Sequence, residues 1–207
     1  MAFPSPRSTK KDPLRSLQQP LQWLRSVPAF SALDDQVLRP LACGMEEVSC
    51  AAGQEIIREG DFGDQAFLMI EGRAEVSAAG PEGPVTLASL SSGELFGELA
   101  LLSEAGRRTA TVTAVTPVRL WSIPGGALKR SLAENPHLRA QFNDAAEAMF
   151  NMRFLKLCAS PFSALPAGQF RELSGKLKPL HIPAGAVIVR QGEEGDSCFV
   201  VRKGEAA

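Results

Sequence analysis

The chain has 207 residues, 44% of them hydrophobic and 22% charged, with 22 Lys plus Arg set against 23 Asp plus Glu for a formal net charge of −1. Such a composition can bury a core and excludes disorder throughout. The near-neutral balance argues against a strongly basic nucleic-acid surface.

The segment Met1 to Lys11 carries Arg7, Lys10 and Lys11, but no apolar run of the signal-peptide kind follows it. It reads as a disordered, mildly basic leader, and residues 1–23 are assigned to it. A first helix is expected in "ALDDQVLRPLACG": Ser31 can cap it, Leu33, Val37, Leu38 and Leu41 share a face, and Gly44 ends it. The runs "EIIRE", "AFLMI", "VTLASL", "TVTAV" and "VRLWSI" then follow, short and rich in β-branched or bulky residues. Gly53, Gly60, Gly63 and Gly72 punctuate them at near-regular spacing, the pattern of strands joined by tight turns that need positive φ. These features predict a mainly β fold with flanking helices: an antiparallel β-roll or jelly-roll barrel.

A short helix is expected over Ala127 to Ala133. Asn135 then offers an N-cap and Pro136 a first helical position. Leu138, Phe142, Ala145, Met149 and Met152 recur at helical spacing beyond it. Cys43, Cys50, Cys158 and Cys198 show no C-x-x-C spacing and read as reduced thiols. His137 and His181 are isolated, and no cluster has metal-ligand spacing. No apolar run approaches a membrane span, so a cytoplasmic location is expected.

The chain repeats itself. "VPAFSAL" begins at Val27 and "ASPFSAL" at Ala159, an offset of 159 − 27 = 132 residues. "AGQEIIREGDFGDQAFLMIEGRA" from Ala52 meets "AGAVIVRQGEEGDSCFVVRKGEA" from Ala184 at the same offset, without a gap. Residues 159–207 therefore read as the opening of a second copy. That copy stops inside an expected strand, which suggests a fragment of a longer protein.

"GELFGELALLSEAGRRTAT" (Gly93 to Thr111) is absent from the second copy. It places one carboxylate, Glu98, among Phe96, Leu99, Ala100, Leu101 and Leu102, with Arg107 and Arg108 soon after. An ionised Glu98 can only accept, which suits a sugar hydroxyl. Arg108 offers a planar, always-charged fork matching phosphate oxygens, and Thr109 adds a hydroxyl. A charge held there alone would be costly, and a ligand would relieve the cost.

This stretch resembles the phosphate-binding cassette of cyclic nucleotide-binding domains, F-G-E-L-A-L followed by a loop and R-x-A-T. The upstream "REGDFGDQAFLMIEGRAEV" is similar to the glycine-punctuated strands of the same family. The resemblance implies that Glu98 binds the ribose 2′-hydroxyl, that Arg108 binds the cyclic phosphate, that Thr109 assists, and that Gly97 and Ala100 offer backbone N–H groups. Leu99 and Ala110 belong to the same cassette. The loop is one residue longer than in kinase-type cassettes, with Gly106 where proline is common; R-x-A-T selects Arg108, whereas a shifted loop would use Arg107. Met149 and Phe150 lie where family members carry a lid over the base. Trp121 could cap a purine, although its place in the last strand reads as core.

The resemblance further implies a cyclic nucleotide-binding domain at 24–134, a connecting helix at 135–158 and an incomplete second domain at 159–207, in a tandem order similar to protein kinase A regulatory subunits. The implied ligand is cAMP or cGMP, with a lean to cAMP and no further cofactor. The implied role is a regulatory sensor acting on an unidentified effector domain or partner, and a homodimer is compatible with it. Alternatives are a ligand-free scaffold, or a transcription regulator of the catabolite activator type whose DNA-binding part is absent. No nucleophile–base constellation or phosphate loop with lysine is visible, so the expectation is a non-enzyme.

Overall fold

The computed structural model describes residues 13–80, 83–103, 105–158, 167–178, 180–192, 194–201 and 205. The chain divides into two compact units, Met1–Glu147 and Ala148–Ala207.

Two four-stranded antiparallel sheets dominate the first unit. One runs in the order β1 (Glu46–Cys50), β8 (Val118–Pro124), β3 (Gln65–Glu71) and β6 (Leu95–Phe96). The other runs β2 (Glu55–Ile57), β7 (Thr111–Ala114), β4 (Ala74–Gly80) and β5 (Gly83–Leu90). The ladders do not join into a closed barrel, so the architecture is a sandwich-like roll with flanking helices. Side chains alternate across β3 with the period of two that a strand imposes. Ala66 and Leu68 join Trp121 and Ile123 in a core shared with the helices. Phe67 points the opposite way and stacks on Phe96 with ring centroids 5.6 Å apart.

Leu17, Leu21 and Leu24 recur on one helical face, and α1 (Pro13–Ser26) forms around them. Leu24 is fully buried; Leu17, Leu21 and Trp23 pack partly buried against the same core. The leader assigned to residues 1–23 is therefore corrected from Pro13 onward, because burial of this stripe outweighs the polar residues between. A short 3₁₀ turn (Pro28–Phe30) leads to α2 (Asp35–Cys43). Ser31 does not start α2 as expected: its Oγ donates to the Pro28 carbonyl at 2.8 Å, and Asp34 takes the N-cap position.

Beyond the sheets, α4 (Gly125–Glu134) covers the expected short helix and α5 (Pro136–Cys158) the longer one; the four-residue α3 (Leu99–Leu102) lies between β6 and β7. Asn135 serves both long helices. Its side-chain amide donates back to the Ser131 carbonyl at 2.8 Å, and its own carbonyl accepts the Arg139 N–H at 3.0 Å. Phe142 of α5 is buried against Phe30, centroids 5.6 Å apart.

The second unit contains the end of α5 and α6 (Ala167–Lys176). Among its described residues after Lys176 no strand is formed, and Val187, Val189, Phe199 and Val201 are exposed. The described residues that repeat β2 and β3 in sequence form no ladder there. Among the described residues, no helix is long and apolar enough to cross a membrane.

Candidate functional site

The stretch from Gly93 to Thr111 leaves one sheet and enters the other. β6 ends at Phe96, and Gly97 follows with φ +81, a left-handed conformation that favours glycine. A Cβ on Gly97 would sit 2.8 Å from Arg108 Nη1 and 2.9 Å from Ile57 Cδ1, so the missing side chain also makes room. Glu98 turns into the helical region (φ −63, ψ −27) and α3 begins. The Leu101 and Leu102 amides donate to the Glu98 carbonyl at 2.9 and 3.2 Å. Those of Leu99 and Ala100, in the first turn, have no intrahelical acceptor by position.

The returning loop is tied to the β2–β3 connection by main-chain bonds. Gly63 N–H donates to the Gly106 carbonyl at 2.9 Å, Arg108 N–H to the Asp61 carbonyl at 2.8 Å, and Gly60 N–H to the Arg108 carbonyl at 2.9 Å. This fixes the backbone of Arg108 and turns its side chain inward. Arg108 is only 9% exposed. Its Nη1 donates to the Gly97 carbonyl at 2.7 Å, and its Cζ lies 5.9 Å from the centre of the Phe67 ring. Burial pulls the guanidinium below its ordinary value, against the opposing pull of Asp64, Glu98 and Asp61; an arginine remains a cation under such a shift.

Glu98 completes the site. The residue as a whole is half-buried, yet its Oε2 is enclosed and has no hydrogen-bond partner. Burial pushes its carboxyl up from 4.5 to about 7, with its own backbone amide and the Arg108 charge pulling back. Enclosure of the carboxylate tip governs this shift, because the tip is where the charge resides.

The expected pair Glu98 and Arg108 is thus brought together with Gly97. Ala100 is buried, and Leu99, Thr109 and Ala110 are half-buried along the same cassette. Arg107 faces outward: its Nη1 donates to the Gly60 carbonyl at 2.7 Å, and its Cζ sits 4.4 Å over the Phe62 ring. Met149 and Phe150 are half-buried residues of α5 in the second unit. Trp121 is a buried member of the helix-facing core. Among the described residues, no group of three or more His, Cys, Asp or Glu could hold a metal ion.

Sequence reasoning misses the role of Gly63. The spacing groups it with the positive-φ turn glycines, and Gly53, Gly60 and Gly72 are of that kind, but Gly63 is not. A Cβ there would run into Nε and Cζ of Arg108, so Gly63 is the floor on which the guanidinium lies. Phe67, beneath Arg108, reads in the sequence only as a strand residue. No local signal in "AFLMI" distinguishes Phe67 from its neighbours; only the fold does.

A roll whose sheets are bridged by a cassette carrying a buried acid and a buried guanidinium defines the class of this domain. Residues 47–135 match the family described as "Cyclic nucleotide-binding domain". The chain is 31% identical over 177 residues to the cAMP-dependent protein kinase regulatory subunit of Yarrowia lipolytica, covering 86% of this chain and 44% of that protein. It is 34% identical over 174 residues to a cGMP-dependent protein kinase, isozyme 2, of Drosophila melanogaster, covering 84% of this chain and 15% of that protein. Among solved structures, the regulatory domain of Toxoplasma gondii PKA with cAMP is similar with a TM-score of 0.56 and 27% identity, covering 89% of this chain and 66% of that one. The chain spans less than half the length of these two kinase relatives.

Proposed function

We propose that the first unit is a cyclic nucleotide sensor and that the chain is a regulatory module, not itself catalytic, that reports ligand occupancy to a further domain or partner. The observation that carries this reading is the enclosed, unpartnered Oε2 of Glu98 beside the inward-turned guanidinium of Arg108. A cyclic nucleotide offers what each lacks. Its ribose 2′-hydroxyl can donate to Glu98, and its cyclic phosphate can accept from Arg108, whose fork matches two oxygens. Thr109 adds a hydroxyl next to the phosphate position, and the first-turn amides of Leu99 and Ala100 add donors. The ligand is read as cAMP in preference to cGMP. The second unit is read as the start of a second domain of the same kind, on the strength of the gap-free repeat.

Isothermal titration of the whole chain with cAMP and with cGMP tests the assignment. Arg108→Ala removes a buried charge-assisted contact and should weaken binding about 100-fold, roughly 2.7 kcal/mol. Retention of wild-type affinity in Arg108→Ala would sink the site assignment, and absence of binding or thermal shift with either nucleotide in the wild-type chain would favour the ligand-free scaffold.

A further inference from the structure

The sequence leaves two adjacent arginines as candidates for one phosphate, and the structure gives them different neighbours. Arg107 spans two loops that are far apart in sequence. Its guanidinium lies over Phe62, 4.4 Å from the ring centre, while Nη1 donates to the Gly60 carbonyl at 2.7 Å. Phe62, at the tip of the β2–β3 loop, is 75% exposed, and the Arg107 guanidinium rests on its ring. Phe62 and Arg107 also form an isolated antiparallel bridge through their backbones. The next residue in each strand of that bridge belongs to the site: Gly63 forms the floor under Arg108, and Arg108 lies on it. The preceding Gly106 has φ +61, a left-handed turn that favours glycine, and a Cβ there would stand 3.9 Å from Phe62 Cδ1, so the turn of the loop lies beside the same ring.

We infer that Arg107 and Phe62 form a clasp that holds the cassette loop against the β2–β3 loop and thereby positions Arg108 for a phosphate. Arg107 is a positioning residue; it does not touch the ligand. A stacked guanidinium at an exposed site and a charge-assisted bond to a carbonyl are each modest. Together they bias the loop toward the arrangement in which Arg108 is already in place, which lowers the ordering cost of binding. The inference rests on the cyclic nucleotide reading for its ligand, but its first readout needs no ligand.

Amide hydrogen exchange over residues 59–64 and 105–110 in the ligand-free chain is compared for wild type, Arg107→Ala, Phe62→Leu and the double variant. Both single variants should exchange faster in both loops. The affinity for cAMP should fall about tenfold in each, mostly through faster dissociation, and the double variant should be no worse than Arg107→Ala. Arg107→Lys, which still reaches the Gly60 carbonyl, should recover part of the loss. Exchange that is unchanged in Arg107→Ala overturns the clasp whatever the chain binds. Faster exchange with unaltered cAMP affinity overturns the positioning role. A loss in Arg107→Ala with none in Phe62→Leu also overturns it, because it would make Arg107 itself the phosphate contact. Faster exchange in the variants of a chain that binds no cyclic nucleotide supports the clasp and counts against the ligand reading alone.

Discussion

Replacing Glu98 by Gln should stabilise the ligand-free protein by an amount that grows as pH rises from 4.5 to about 7 and is constant above that. The carboxyl has an ordinary value of 4.5 and titrates at about 7 in the fold, because burial disfavours its charged form. Between these values the folded state holds a proton that the unfolded chain has lost. Stability therefore falls as pH rises through that window and levels off above about 7. At about 1.4 kcal/mol per tenfold, the ionised folded state carries a cost of about 3 kcal/mol at pH 8, an upper figure since the residue keeps some exposure. Glutamine stays neutral throughout. For a unit of this size the difference corresponds to a rise in Tm of about 6–10 °C at pH 8, shrinking toward zero at pH 4.5. Thermal unfolding followed by circular dichroism across pH 4.5 to 8.5, in parallel for both proteins, measures it. A second consequence concerns the ligand. If a ribose hydroxyl donates to the carboxylate, binding favours the ionised form, so the wild type should release protons on binding cAMP near pH 7 and Glu98→Gln should not. Titration in buffers of different ionisation heat reads that release. A Tm difference independent of pH would refute the argument that a buried, unpartnered charge sits at Glu98.

Further outcomes follow from the same geometry. Gly63→Ala should push Arg108 off its floor and weaken cyclic nucleotide binding more than it lowers Tm, checked by titration beside thermal unfolding. Gly97→Ala forces a side chain into φ +81 between Arg108 and Ile57, and should cost about 1–3 kcal/mol of stability by urea unfolding. Phe142→Ala opens the core beside Phe30 and Leu138, and should cost about 3–5 kcal/mol in the same assay while leaving the order of preference between cAMP and cGMP unchanged.

The acid and the guanidinium were legible because their chemistry is tied to residue type: a carboxylate among leucines and an arginine before small residues announce themselves in one dimension. The strands carried by bulky residues were legible for the same reason, whereas β4, written "AEVSAAG", was not, since its small side chains give no amphipathic signal. Helix α1 was obscured by two polar residues in a row and by Pro20 inside it. Its stripe becomes meaningful only once α2 and the sheet supply a surface to bury it. The motif R-x-A-T selected Arg108, but what holds Arg107 outward and Arg108 inward was beyond local reading. It depends on Gly60, Phe62 and Gly63, more than 40 residues earlier, which the fold lays alongside the loop.

The same packing shows how occupancy of the cassette can leave it. Leu101 of α3 is buried in the helix-facing core, and its Cδ2 reaches to within 2.6 Å of where a Cβ on Gly125 would stand. Gly125 is the first residue of α4, and its N–H donates at 2.7 Å to the carbonyl of Asp64, which lies in the loop beneath Arg108. A close-packed contact of this kind does not stretch: if α3 moves, α4 must follow or open a void. A ligand that drew Glu98 and Arg108 toward one ring would therefore act on the start of α4 by two routes, through Leu101 and through Asp64. It shifts the helices only by as much as it prefers one arrangement over the other. Gly125→Ala jams this contact without touching the ligand. A Cβ there would also run into the Asp64 carbonyl oxygen, so the variant disturbs both routes and should change how α4 responds to cAMP, read as the ligand-induced difference in hydrogen exchange over residues 125–134. An identical difference in wild type and Gly125→Ala would show that the cassette and the helix are not coupled through this contact.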